Sequence, residues 1–101
     1  PARRVRPSVE QVPSYLVETY LARGRAHERA EHERRARTTA AELTRGETRV
    51  SFDRSILVPE DEICFYVFEA PSARHAAYAA ERAGLDPIRV VEAISSGKEK
   101  Q

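Results

Sequence analysis

The segment RAHERAEHERRAR, residues 25–37, carries two histidines, three glutamates and five arginines. These are the residue types that hold metal ions or nucleic acid. A zinc-protease helix needs H-E-x-x-H, which sets two histidines four apart on one face with the glutamate as general base. Here the residue four after His27 is Glu31, and His32 follows one position later. Five residues turn a helix to roughly 140° from the starting direction, so His27 and His32 diverge and cannot share an ion. The inverted H-x-x-E-H frame fails by the same slip. What survives are two pairs at i,i+4: Glu28 with His32, and His27 with Glu31, the latter kept as two-ligand metal candidates.

Pairing explains most of the remaining charge. Glu33 follows Arg29 by four positions, Arg35 follows Glu31 and Arg37 follows Glu33, the alternation of a solvated helix. Arg34, Arg35 and Arg37 cluster, but no aromatic side chain interleaves with them to stack on bases. The whole chain carries a net charge of only +1, which gives no long-range field for a polyanion. Nucleic acid is therefore not an expected partner. On a wheel of about 100° per residue, Ala26, Ala30, Ala40, Ala41 and Thr44 fall together, flanked by Ala36 and Leu43. That side is predicted to lie on a sheet. Glu33 and Arg37 fall inside it, either as a half-buried pair with a snorkelling arginine stem or as the polar floor of a pocket.

Other candidates are carboxylates on strands. Glu18 in YLVETY and Glu92 in RVVEAI lie mid-strand, where a carboxylate needs a partner or a wet cavity. Arg37, Arg49 and Arg54 are the candidate partners. Cys64 has apolar neighbours and reads as a buried, inert thiol. His75 falls opposite the alanines of its helix and reads as exposed. No glycine-rich phosphate loop is present. Glu18, Arg37, Arg54, Tyr66 and Glu92 are the residues expected to line a ligand site.

The elements that position them follow from pattern and punctuation. Residues 1–13 hold three prolines without periodicity and read as a flexible arm, as residues 96–101 do as a tail. The domain between, 14–95, opens with a β-branched and aromatic strand, SYLVETYL. A long Ala/Glu/Arg helix follows, closed at Gly46. TRVSFDRSILV is a strand stopped by Pro59; PEDE is a tight acidic turn; EICFYVFEA is the next strand. Ser72 caps a second helix that Gly84 ends, and IRVVEAI is the last strand. The order β-α-β-β-α-β is the ferredoxin-like split βαβ arrangement, an α+β fold with an antiparallel sheet and both helices on one face.

The third strand is apolar on both sides: Ile63, Phe65 and Val67 on one, Cys64, Tyr66 and Phe68 on the other. Two helices cover only one side, so the other is expected to meet a second copy of the chain, giving a homodimer and a dimeric α+β barrel. At 101 residues, 33% of them charged and 41% hydrophobic, the chain reads as one soluble domain. One cysteine excludes an internal disulfide framework. No apolar run reaches the roughly 18–20 residues that span a bilayer. A cytoplasmic protein without membrane contact is expected.

From YLVE near the start, through Ser55 and the acidic turn, to FEAPS, ERAGL and IRVVEAI, residues 12–94 resemble a family of small ferredoxin-like proteins of unknown function. A nickel-binding protein is among its members. The resemblance implies a homodimer and makes nickel a cofactor to consider. The nickel-binding members carry histidines where this chain has Glu18, Thr19, Arg54 and Leu85, so their ligands do not carry over. Relatives also carry a cysteine in place of Tyr66 and a histidine in place of Tyr78, whereas Glu18 and Glu92 fit the family pattern. The expected function is a non-enzymatic homodimer that binds a small ligand or metal ion between helices and sheet. The alternatives are a cofactor-free enzyme of the dimeric α+β barrel type, monooxygenase- or cyclase-like, and a structural or partner-binding module.

Overall fold

The structure, a computed structural model, describes residues 12–96. Most of the expected arm and tail lies outside the described residues. Pro13, assigned to the arm, is tied down: its carbonyl accepts the Ala70 N–H at 3.1 Å. The elements are β1 (Ser14–Tyr20), α1 (Arg29–Arg45), β2 (Ser51–Val58), β3 (Ile63–Glu69), α2 (Ala73–Arg82) and β4 (Arg89–Ala93). A 3-10 segment, Arg23–Glu28, leads into α1, and a second, Pro59–Asp61, makes the acidic turn. The four strands form one antiparallel sheet in the order β2-β3-β1-β4. This is the ferredoxin-like α+β fold.

Punctuation residues act where their chemistry predicts. Ser72 takes an extended backbone and its hydroxyl accepts the His75 N–H, capping α2. Gly46 caps the end of α1. Val17, Cys64, Tyr66 and Phe68 fill the space between sheet and helices, and Ala36 and Ala40 of α1 close over it with Ala76, Ala79 and Ala80 of α2. Small alanines let both helices approach closely, so the two central strands supply most of the apolar volume.

The phase of α1 differs from the wheel. Its buried residues are Ala36, Thr39 and Ala40, while Ala30 and Ala41 are exposed and Ala26 is half-buried outside the helix. The 3-10 turn of residues 23–28 displaces only Ala26; within α1 the helix buries the neighbouring stripe, keeping Ala40 and turning Ala30, Ala41 and Thr44 outward. Measured from Ala36, the stripe that faces the sheet runs through Arg29, His32, Glu33, Ala36, Ala40 and Leu43.

A β-bulge shifts the register of β2. Phe52 lies opposite Phe68, but Arg54 rather than Asp53 lies opposite Val67, and Ser55 follows opposite Tyr66. The extra residue keeps Phe52 and Ser55 on the helix side although they are three apart, and sends Arg54 to the open side.

Two side chains link α1 to α2: Arg82 approaches Glu42 at 3.7 Å, and Arg35 makes the closer contact. Arg35 donates from Nε to the Ala83 carbonyl at 2.8 Å and from Nη2 to the Gly84 carbonyl at 3.2 Å, satisfying acceptors at the end of α2. Gly84 has φ +78°, and a Cβ there would sit 3.2 Å from Arg35 Nη2. Gly84→Ala therefore combines left-handed strain with displacement of the clasp and is expected to destabilise by about 1–2 kcal/mol. Gly24→Ala, where no atom lies within 4 Å, is expected to be near neutral. Urea unfolding of the two variants checks the contrast.

Candidate functional site

Tyr66 is only 1% exposed and is among the largest fully buried side chains. It lies at the middle of β3 on the helix side, and its hydroxyl reaches the stripe of α1 where His32 places Nδ1 at 3.0 Å. On the far side of that ring, Nε2 is 3.7 Å from the Glu28 carboxylate, which in turn takes two hydrogen bonds from Arg25 at 2.8 and 2.9 Å. The carboxylate beyond Nε2 favours the tautomer with its proton there, so Nδ1 accepts from the Tyr66 O–H. Cys64, two residues earlier on the same side of β3, is fully buried beside Tyr66. The groups form a continuous line, Glu28–His32–Tyr66–Cys64, from the surface into the core.

A second polar contact runs alongside. The Ser55 hydroxyl donates to Glu33, one residue along α1 from His32. Arg29 stands one turn earlier on the same stripe, half-buried. Phe52 sits across, with its ring centroid 6.3 Å from Tyr66 and 5.3 Å from Phe68, and the Arg37 guanidinium covers its other side at 5.1 Å. Helix and sheet thus enclose a polar seam with one aromatic wall.

Burial sets the protonation states. It pushes the Tyr66 hydroxyl well above the usual phenol range, with the neighbouring Cys64 adding to the effect, so Tyr66 keeps its proton and donates. Burial likewise raises the Cys64 thiol, only partly offset by hydrogen bonding to Tyr66, so it is no thiolate nucleophile at neutral pH. For His32, desolvation and then the Arg35 charge lower the pKa against the pull of Glu28 and Glu31, which keeps the ring neutral as an acceptor.

The front of the seam is loosely held. The 3-10 segment Arg23–Glu28 buries none of its residues and has no side-chain cap, and Glu28 makes no side-chain cap for α1. Its anchor is Glu62, which takes a left-handed backbone (φ 55°) at the end of the acidic turn. The Glu62 carboxylate accepts the Arg23 N–H at 2.8 Å and the Tyr20 hydroxyl at 3.1 Å, while its carbonyl accepts the Leu21 N–H at 2.8 Å. The Arg23 N–H is the first cause holding this carboxyl below its ordinary range.

The five residues expected to line one site do not converge. Tyr66 is at the heart of the seam, and Arg37 is exposed at its rim over Phe52. Glu18 and Arg54 face the open side of the sheet: Glu18 pairs with Arg89 at 3.3 Å, and Arg54 with its neighbour Asp53. Glu92 is exposed on the edge strand, on the helix side. Glu18 lies opposite Arg89 and Glu92 opposite Tyr15. An odd offset of three residues puts the two carboxylates on opposite faces. The expected Glu33–Arg37 pair is also not made, since Glu33 takes Ser55 instead. Of the metal candidates, His27 is exposed, and Glu31 is engaged by Arg34 and, at 3.9 Å, Arg35. Among the described residues no group of three or more His, Cys, Asp or Glu side chains is placed to hold a metal ion.

Sequence alone does not place Arg29, His32 and Ser55 together at a ligand site. The signal for the first two was the spacing Arg29, His32, Glu33, Ala36, which is i, i+3, i+4, i+7; only the bulge reveals Ser55. Two open depressions lie elsewhere. One of about 320 Å³ is lined by Val12, Thr44, Arg49, Val50, Ser51 and Glu69, and one of about 180 Å³ lies between the helices around Arg34, Arg35 and Arg82. The second is lined in part by the buried Thr39. Among the described residues the seam brings the buried Tyr66 and Cys64 together with His32, the kind of arrangement that marks functional sites.

The chain matches no known family model and no curated protein sequence. A solved structure does match: SCO4226 from Streptomyces coelicolor A3(2) is 15% identical with a TM-score of 0.65. The match covers 83% of this chain and 99% of that one. At that identity the likeness is one of fold.

Because folding lowers the His32 pKa, the unfolded chain takes up the proton first. The His32 contribution to stability is therefore complete above about pH 6.5, the ordinary histidine value, and is lost as pH falls below it. Thermal melting across pH 5–8 is expected to show this loss (the interval brackets the ordinary histidine range of about 6.5), and His32→Asn is expected to flatten it.

Proposed function

We propose that the chain binds a small organic ligand in the seam between α1 and the sheet, and that two copies pair through the open sheet face. The observation that carries the ligand reading is the meeting of a buried tyrosine hydroxyl with an ionisable histidine on the sheet-facing stripe of a helix. Polar groups buried at such a place cost stability unless satisfied, and apolar residues of similar volume would pack there at no such cost. Here each satisfies the other, and a ligand that takes the place of His32 on Tyr66 would use the same hydroxyl. Admission is through the leading end of α1, where the 3-10 segment contributes nothing to the core.

The pairing reading rests on the open face. Leu16, Ile56, Val58, Ile63, Phe65, Val67 and Val91 share it by register, and Tyr20 and Ile56 are 61% and 39% exposed. A contiguous apolar face on a single sheet is covered in most proteins, and a self-complementary surface is the simplest cover. The family resemblance supports the same arrangement, and metal binding is subordinate in this reading to an organic ligand. A second reading, a cofactor-free enzyme of the dimeric α+β barrel kind, is favoured by the His32–Tyr66 pair, in which a neutral imidazole is placed to take a proton and a protonated phenol to donate one.

Two measurements test these proposals. Backbone NMR shifts on titration with a panel of small aromatic and aliphatic compounds are expected to centre on α1 residues 29–36 and on Tyr66. Shifts confined to the depression around Thr44 and Glu69 would move the site there. Sedimentation equilibrium is expected to give a dimer, with Phe65→Glu giving a monomer whose circular dichroism is unchanged. A wild-type chain that stays monomeric through the micromolar range would remove the pairing.

A further inference from the structure

Three arginines, two threonines and one glutamate line the depression of about 180 Å³ between α1 and α2, with Ala83 beside them. Arg35, Thr38, Thr39 and Glu42 stand at i, i+3, i+4 and i+7, so α1 turns this stripe toward α2. Contacts give the direction: Arg35 reaches the Ala83 and Gly84 carbonyls, and Glu42 reaches Arg82. Thr39 makes the floor. It is 7% exposed, and its hydroxyl has no hydrogen bond among the described residues. A buried hydroxyl without a partner carries a cost that a valine of the same shape would avoid. An occupant of the depression that offers an acceptor oxygen removes that cost.

The donors around that hydroxyl are positioned and under-used. Arg35 is fixed through Nε at 2.8 Å and Nη2 at 3.2 Å, while its Nη1 lies 3.9 Å from Glu31, beyond hydrogen-bonding distance. Arg82 Nη2 lies 3.7 Å from Glu42, and its guanidinium makes no hydrogen bond among the described residues. Arg34, paired with Glu31, adds charge at the rim. The carbonyls that end α2 would repel an anion, but Arg35 covers those of Ala83 and Gly84. We propose that this depression binds a phosphate group, as the free ion or as the end of a small monoester, held by Arg35, Arg82 and the Thr39 hydroxyl. Its volume of about 180 Å³ is below the roughly 300–1,000 Å³ of pockets for drug-sized ligands, so the occupant is a small group. Guanidiniums from two helices and a hydroxyl at the floor approach from more directions than a planar carboxylate can answer, and a tetrahedral phosphate has an oxygen for each. Glu42 is the one carboxylate of the lining, and the anion takes its place on Arg82. The depression shares no residue with the seam, and the two sites stand or fall separately.

The test titrates inorganic phosphate into the full chain at constant ionic strength, with chloride as the balancing ion, and follows backbone NMR shifts and thermal melting. Phosphate is expected to shift residues 34–42 and 82–84 and to raise the melting temperature. Arg82→Gln is expected to weaken binding roughly three- to tenfold, the loss of one charge-assisted contact. Glu42→Gln is expected to tighten it, because the competing carboxylate is gone. Thr39→Val is expected to weaken it while leaving the phosphate-free chain as stable as before or more so, a combination that a merely structural hydroxyl would not give. Equal affinity in wild type and Arg82→Gln would overturn the proposal, as would weaker binding by Glu42→Gln, shifts outside the depression, or no binding through the millimolar range. Acetate that binds as tightly as phosphate would overturn the assignment to a tetrahedral anion. Phenyl phosphate is the second arm: tighter binding than inorganic phosphate assigns the site to a monoester, and weaker binding assigns it to the free ion.

Discussion

The strict two-residue alternation of β3 is the constraint from which the rest of the molecule follows. It is a central strand flanked by β1 and β2, so neither of its faces can be solvated by lying at an edge. Cys64, Tyr66 and Phe68 must be covered by the helices, and Ile63, Phe65 and Val67 are left for whatever meets the other side. A shift of one residue would exchange these sets, placing the Tyr66 hydroxyl on the open face and Phe65 beneath the helices. Register is held by pairing on both flanks over the length of the strand, which fixes the Tyr66 hydroxyl where α1 can answer it.

What α1 answers with is an economy of small residues. Alanines on both helices bring the backbones near the sheet, and the one large polar side chain of β3 is accommodated where α1 offers His32 in place of another alanine. The helix is therefore secured by two different means along its length. From Arg35 onward it rests on Ala36, Thr39, Ala40 and Leu43 and is clasped to α2. Its leading part, ahead of Arg35, is held by His32 against Tyr66 and by Glu33 to Ser55. This division makes the leading half the part of the helix able to move without loss of the core.

Element order and type were legible from the sequence because caps and breakers coincide with changes of period: Ser72 and Gly84 bound α2, Gly46 ends α1, Pro59 ends β2. The two-sided character of β3 was equally legible. The site was not, for two physical reasons. Alanines lie on two neighbouring sides of α1, so that Ala30 and Ala41 stood in for the face that Arg29, His32 and Ala36 occupy. The bulge at Asp53 exchanged the sides of Arg54 and Ser55, and a bulge has no reliable signature in one sequence. Glu18 and Glu92 lie on adjacent strands, and adjacency without parity does not bring side chains together. In the segment 25–37, the slip that separates His27 from His32 is independent of helix phase.

Glu62 has a consequence for the order in which the molecule comes apart in acid. Its carboxylate fastens Arg23 and Tyr20 at the root of the leading segment, and release of such a group is favoured only below its ordinary carboxylate pKa of 4.5. Exposure of His32 is favoured from about pH 6.5 downward, two units sooner. Mild acid therefore disfavours the neutral His32 contact with Tyr66 before it weakens the Glu62 fastening of Arg23 and Tyr20.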